Sequence, residues 1–283
     1  MNKTPALVLL GLMTVNAFGA DSNIFSYRLG RFDVYTLVEN RGPGRDSILI
    51  GANADAVKRY LGASFQSETN TFLIRAPDRN ILVDTGFGTT LFESMKTLGI
   101  SPGEIDTVLL THLHGDHIGG LQRDGKPLFP NAKVYLARQE REFWTRTSVN
   151  RNAVNALAAY GGKVETFLPG ELGSVIQELL PGITAIAAFG HTPGHTVFQV
   201  ESDGKRLLIW GDLMHVEGIQ FPLPDVSVTY DTDPAAAAAI RKKILAYAVS
   251  NNIPIAGMHL LYPAIGSVRA QDGAYRLVPA GQN

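Results

Sequence analysis

The stretch Thr107-Val108-Leu109-Leu110-Thr111-His112-Leu113-His114-Gly115-Asp116-His117 runs from an apolar segment straight into a cluster of imidazoles and a carboxylate. Three of the chain's seven histidines fall within six residues here. The first four residues read as a short buried strand. His112 and His114 are two apart, so in extended backbone their side chains leave on the same side and can grip one cation. Asp116 and His117 come after the turn at Gly115 and can face a second position, with Gly119 and Gly120 permitting tight backbone around them. A lone histidine is more often a solvated or core group, but a spacing this dense matches a metal-binding motif that has a mechanism behind it.

Other donors lie further along the chain. Gly190-His191-Thr192-Pro193-Gly194-His195-Thr196 places two imidazoles around a Pro-Gly turn, one expected to be a ligand and the other structural. Leu207-Leu208-Ile209-Trp210-Gly211-Asp212 is an apolar strand ending in a carboxylate, a position where an aspartate alone would read as a turn or cap. Met258-His259 follows the apolar Ile253-Pro254-Ile255-Ala256. The chain has no cysteine, so any metal must be held by nitrogen and oxygen. Five imidazoles with carboxylates favour zinc as the default, with manganese, iron or cobalt as alternatives at a carboxylate-bridged pair.

Around these motifs, strand-length segments at Phe32–Val38, Asn70–Ile74, Asn80–Val83, Thr107–Leu110, Lys133–Leu136, Ile183–Ala187, Val197–Val200 and Leu207–Trp210 alternate with helix-like ones. The helical segments are Asp55–Leu61, Thr89–Leu98, Arg138–Thr145, Asn152–Tyr160 and Pro234–Ser250, the last signed by Asp233 as cap and Pro234 at its first position. The fold class is therefore mixed α/β, with residues 21–283 read as a single domain. A formal net charge of −1 and no long run of like charge disfavour nucleic acid as a partner. Lys3, the apolar run Pro5–Val15 and the small-residue segment after it mark residues 1–20 as a secretory signal peptide. The expected location is periplasmic or secreted, and the run is too short to span a membrane, so the mature form has no span.

The ordered set His-x-His-x-Asp-His, Gly-His-Thr, Gly-Asp and a late His resembles the metallo-β-lactamase superfamily. Phe129-Pro130-Asn131-Ala132, Glu142-Phe143-Trp144, Trp210-Gly211-Asp212-Leu213 to Gln220-Phe221, and His259-Leu260 with Pro263-Ala264-Ile265-Gly266 are similar to methyl parathion hydrolase and its lactonase-like relatives. The resemblance implies an αββα sandwich with two metal ions at one edge. One ion would take His112, His114 and His191; the other would take Asp116, His117 and His259; Asp212 would bridge them. It also implies that His195 is the structural member of its pair and that Asp84, in Val83-Asp84-Thr85-Gly86, supports the site from behind. A homodimer is implied in the same way.

Two ions can deprotonate a shared water at neutral pH, and the resulting hydroxide is the expected nucleophile. Asp116, while holding the second ion, and His215, three residues after Asp212, are the residues expected to share in the chemistry; His215 would assist the oxyanion or protonate the leaving group. Phe87, Trp144, Phe221, Leu261 and Tyr262 are candidates for an apolar mouth suited to a hydrophobic ester-like substrate such as a lactone, aryl ester or phosphotriester. Two other readings compete. One is a β-lactamase, which Asp212 as a bridge argues against; the other is a non-catalytic zinc-binding protein, which the expectation of an open coordination position argues against.

Overall fold

Along the first strands, alternate residues turn to opposite sides: Val34, Phe72, Ile74, Ile81, Val83 and Leu109 go to one apolar core, Leu37, Leu73, Leu82 and Val108 to another. That two-residue period makes a sheet buried on both faces. The computed structural model describes residues 23–281; the proposed signal peptide lies outside the described residues.

The chain opens with β1 (Ile24–Leu29), β2 (Phe32–Pro43), the short β3 (Leu49–Ile50), α1 (Ala54–Leu61), β4 (Gln66–Ala76), β5 (Arg79–Val83) and α2 (Leu91–Thr97). β6 (Thr107–Leu109), α3 (Gly115–Ile118), the ribbon β7 (Gln122–Arg123) and β8 (Lys126–Pro127), β9 (Lys133–Ala137), α4 (Arg138–Glu142), α5 (Arg151–Tyr160) and β10 (Val164–Phe167) follow. The remainder is β11 (Ile183–Ala187), β12 (Thr196–Ser202), β13 (Lys205–Ile209), α6 (Glu217–Gln220), β14 (Ser227–Val228), α7 (Pro234–Ser250), β15 (Ile255–Ala256), β16 (Ile265–Gln271) and β17 (Ala274–Pro279). The first sheet has the order β1-β2-β4-β5-β6-β9-β10 and the second β11-β12-β13-β15-β16-β17, while β3 pairs with β14.

Leu91 and Met95 of α2 and Ala153, Ala156 and Leu157 of α5 cover the outer face of the first sheet. The inner face packs on the second sheet, and Ile244, Leu245 and Ala248 of α7 join that core from the far side. The result is the expected αββα order of layers. Each buried aliphatic side chain contributes about 1.5–3 kcal/mol by leaving water.

Strand direction places the site. In the first sheet β5 and β6 are parallel, and β2 runs the same way because it is antiparallel to β4, which is antiparallel to β5. In the second sheet β13 and β15 are parallel, and β11 agrees with them through β12. The loops after β5, β6, β11, β13 and β15 carry Asp84, the 112–117 cluster, His191, Asp212 and His259. All of them emerge at one edge of the sandwich.

The expected strands and helices are present, with boundaries that differ by a few residues. β1, β10, β16 and β17 are additions that the sequence pattern did not single out. The helix expected over Arg138–Thr145 is an α-turn to Glu142 followed by a π-helical turn over Phe143–Thr147. Arg241 of α7 is buried and donates to the carbonyls of Leu213, Pro224 and Val226.

Candidate metal centre

The β6 strand ends at Leu109, and extended backbone continues far enough to send His112 and His114 to the same side, as the spacing predicts. Three inward-facing ring nitrogens meet there: His112 Nε2 lies 3.0 Å from His114 Nδ1 and 3.2 Å from His191 Nε2, and the last two are 3.0 Å apart. Asp212 Oδ2 stands 3.6 Å from His112 Nε2 and 3.3 Å from His191 Nε2. On the other side of Asp212, His117 Nε2 lies 3.1 Å from Oδ1 and His259 Nε2 3.2 Å from Oδ2, with Asp116 oxygens 3.7 and 3.4 Å from those two rings. Two donor groups result, His112/His114/His191/Asp212 and Asp116/His117/His259, and a third combines Asp212, His215 and His259.

The outward ring nitrogens of His112, His117, His191 and His259 are held, and the hydrogen-bond network fixes a proton on Nδ1 of each. Thr111 Oγ1 donates to Asp84 Oδ2 at 2.7 Å and so accepts from His112 Nδ1–H at 3.0 Å. His117 Nδ1–H donates to Asp84 Oδ2 at 2.7 Å, His191 Nδ1–H to Asp231 Oδ1 at 2.8 Å, and His259 Nδ1–H to the Glu68 carbonyl at 2.9 Å. This is the arrangement by which an outer partner orients a ligating imidazole and raises its basicity. It aims the Nε2 atoms of those four rings into the site, where each can hold a proton or a metal ion.

That convergence tests whether metal ions fit. Lone pairs 3.0–3.2 Å apart repel unless a cation sits among them, and a tetrahedron with zinc–nitrogen bonds of about 2.0–2.1 Å has edges of about 3.3 Å. His117 Nε2 and Asp212 Oδ1 are both buried and have no hydrogen-bond partner among the described residues. The donor set fits two divalent ions sharing Asp212.

Electrostatics of the metal-free site point the same way. Burial opposes charge on Asp212, yet His117, His259, His215 and His112 outweigh it and hold the carboxyl well below the usual range. Burial likewise opposes charge on His117, but Asp212, Asp116 and Asp84 keep its pKa well above that of a free imidazole, and His259 is carried to about 9 against burial, chiefly by Asp212. Burial and the neighbouring cationic ring of His191 push His114 down to about 3. Protons here stand in for part of the positive charge that the carboxylates demand.

His195 resolves as the structural member of its pair. Its Nδ1–H donates to the Ala188 carbonyl at 3.0 Å and its Nε2 accepts from the backbone N–H of Asp212 at 2.9 Å, so it steadies the bridging carboxylate from behind. Gly211 must be glycine here: its φ is +61°, and a Cβ would sit 2.5 Å from His195 Nε2.

A cavity of about 520 Å3 opens over the centre, floored by His114, Asp116, Asp212, His215 and His259 and walled by Pro43, Ile48, Phe65, Phe87, Val216 and Tyr230. Of the five hydrophobic residues expected at the mouth, Phe87 alone lines this cavity. Phe221 is buried in the core against Trp210, and Tyr262 packs on Phe25. Trp144 lies behind His114, ring centroids 5.4 Å apart. Adjacency in sequence to a ligand does not bring a side chain to the open face, because consecutive residues of a strand or turn point opposite ways.

The sequence profile of the metallo-beta-lactamase superfamily matches residues 66–250. The chain belongs to the metallo-beta-lactamase superfamily. Among solved superfamily structures, the hydrolase AbOPH superimposes with a TM-score of 0.82 at 27% identity, over 91% of this chain and 97% of that one. The dizinc quorum-quenching lactonase AidC, solved with a product, gives 0.82 at 25% identity over 92% and 98%. The Beta-lactamase-like protein 2 homolog of Caenorhabditis elegans is 32% identical over 172 residues, 58% of this chain and 52% of that protein. The Anti-Pycsar protein Apyc1 of Paenibacillus sp. (strain J14) is 38% identical over 74 residues, 26% of each. The chain thus spans about a quarter to a half of the length of these curated relatives.

Two carboxylates of this superfamily site were not singled out from sequence. Asp231, which holds His191, sits in Tyr230-Asp231-Thr232, where it reads as a turn residue; its other oxygen accepts from the Val228 N–H at 3.1 Å. Glu140 sits among the charged residues Arg138, Arg141 and Glu142 and reads as part of a solvated helix face, yet it is fully buried.

Proposed function

We propose that this chain is a metal-dependent hydrolase holding two divalent ions, zinc by default, that cleaves the ester-like bond of a hydrophobic small molecule. The observation that carries the reading is the convergence of three inward imidazole nitrogens within 3.2 Å of one another beneath an open cavity whose walls mix Phe65, Phe87 and Tyr230 with Asn40, Arg45 and Thr69. His112, His114 and His191 would hold one ion, Asp116, His117 and His259 the other, and Asp212 both. When bound, such a pair supplies a nucleophile from water at neutral pH and a Lewis-acid pull on the substrate's carbonyl or phosphoryl oxygen.

The protein's own residues supply orientation and a hydrogen-bond donor. Asp116, at the edge of the cavity, accepts a hydrogen bond from the attacking water and aims it. His215 Nε2 lies 3.1 Å from Asp212 Oδ2, its ring stacks on His259 with centroids 4.8 Å apart, and burial carries its pKa to about 4. At neutral pH it is an uncharged ring whose Nε2–H borders the reacting centre, placed to hydrogen-bond the oxygen on which charge develops. The walls around Phe65, Phe87 and Tyr230 take the apolar part of the substrate.

Lactones, aryl esters and organophosphate triesters all suit this arrangement, and the likeness to a dizinc lactonase at 25% identity supports the lactone first. A relation to methyl parathion hydrolase rests on the motif resemblance. Export to the periplasm or medium rests on the sequence of residues 1–20, and homodimer formation on the same resemblance. The neutral charge speaks against a nucleic-acid substrate.

The test compares kcat/KM for an aromatic lactone and for a nitrophenyl dimethyl phosphorothioate on one zinc-loaded preparation, with His117→Ala as control. Activity on the lactone that vanishes with chelator and returns with zinc is expected, with the phosphorothioate slower. A reversed preference would identify a phosphotriesterase, and inertness toward both substrates with two ions bound would overturn the reading.

A further inference from the structure

Glu140 is the buried carboxylate that the proposed chemistry does not use. It lies on α4, is 0% exposed, and accepts four hydrogen bonds. Oε1 takes the Leu113 N–H at 2.9 Å and the Trp144 Nε1–H at 2.6 Å; Oε2 takes the Thr192 hydroxyl at 2.6 Å and the Gly194 N–H at 2.9 Å. Leu113 stands between His112 and His114, and Thr192 follows His191. The two loops so joined come from different sheets, one after β6 and the other after β11. The fit is close: a Cβ on Gly194 would lie 2.2 Å from the Glu140 backbone nitrogen. The π-helical turn after α4 brings Trp144 back to the same oxygen, and its ring packs on His114.

We propose that Glu140 is a positioning residue for the ion held by His112, His114 and His191, fixing the distance between the two loops that supply those three imidazoles. The inference rests on the two-ion reading above. Its consequence is asymmetric, because Glu140 makes no hydrogen bond to Asp116, His117 or His259. A carboxyl group is required: three of the four partners are N–H groups that can only donate, so both oxygens must accept. A glutamine amide would turn its NH2 toward at least one of them, leaving a buried N–H without an acceptor.

The experiment is stepwise removal of zinc by a competing chelator, with ion counts by native mass spectrometry, on wild type, E140Q and W144F. E140Q is expected to lose about 10- to 100-fold in affinity for one ion, with the other unchanged. W144F should show a smaller loss at the same ion. In a His259→Ala background, which weakens the other half, E140Q should weaken the remaining uptake by the same factor, and in cobalt-loaded E140Q the visible absorption of one ion should change. Thermal unfolding of the metal-free forms separates this from general loosening. Unchanged affinities for both ions with a lowered Tm, or equal losses at both, would overturn the proposal. Should E140Q fail to fold, W144F and T192V carry the test, since each removes one donor and keeps the carboxylate; unchanged affinities in both would overturn it. A wild type that binds a single ion counts against the two-ion reading, and the E140Q affinity for that ion then decides the present one. A wild type that binds none overturns both.

Discussion

At the residue scale, the site divides into groups that face inward and groups that hold them. His215 belongs to the first kind: it touches Asp212 and the cavity, and its Nδ1 is buried with no hydrogen-bond partner among the described residues. His215→Gln is expected to keep two bound ions and lower kcat by about 10²-fold, the usual cost of disturbing one hydrogen-bond donor to a developing oxyanion. Steady-state kinetics with metal analysis checks it: full activity would remove the role, and loss of an ion would make His215 a ligand instead. The convergence of the 112–117 donors was legible in the sequence because their spacing is dense and their residue types are rare. The choice between His191 and His195 was not contained in spacing at all. It is made by partners distant in sequence, Asp231 for one and Ala188 with Asp212 for the other. Glu140 was illegible because its flanking charges suggest solvent, and only the packing of two remote loops buries it.

At the scale of elements, long segments were read well and edges poorly. α7 was fully signed: Asp233 accepts from the Ala236 N–H at 3.0 Å and Pro234 occupies the first turn. Asp233→Ala should destabilise the fold by about 0.5–2 kcal/mol, seen as a lowered urea midpoint with unchanged slope, while kcat stays within about twofold. A larger loss of activity would mean that the cap also fixes His191, since the backbone N–H groups of Thr232 and Asp233 donate to the carbonyls of His191 and Gly190. β1, β10 and β17 were missed because they are edge strands, where one side faces water and residues such as Arg28, Glu165 and Arg276 dilute the apolar alternation. A bulge in β2 between Val38 and Asn40 was equally invisible; it marks Glu39, whose carboxylate receives the N–H groups of Thr89, Thr90 and Leu91 at the start of α2.

For the whole molecule, the donors come from both sheets, so bound ions would tie the halves of the sandwich together and should raise Tm by binding the native state alone. The metal-free protein should depend on pH in a definite direction. His259 has its folded pKa raised to about 9 from an ordinary value of about 6.5. Its stabilising charge is therefore complete below about pH 6.5 and lost as pH rises through about 9; His117 and His191 are shifted the same way. Ions compete with those protons, so their affinity rises over the same interval. Calorimetry of metal-free and zinc-loaded protein from pH 6.5 to 9 should show the first Tm falling and the gap between them widening. A metal-free Tm that is flat or rising there would refute the charge assignment.

The division of donors between the sheets also has a temporal meaning. His112, His114, Asp116 and His117 are made early in synthesis, but the bridge at Asp212 and the last imidazole at His259 arrive much later. A growing chain can offer a cation only part of this donor set. The complete donor set therefore exists only after both sheets have met.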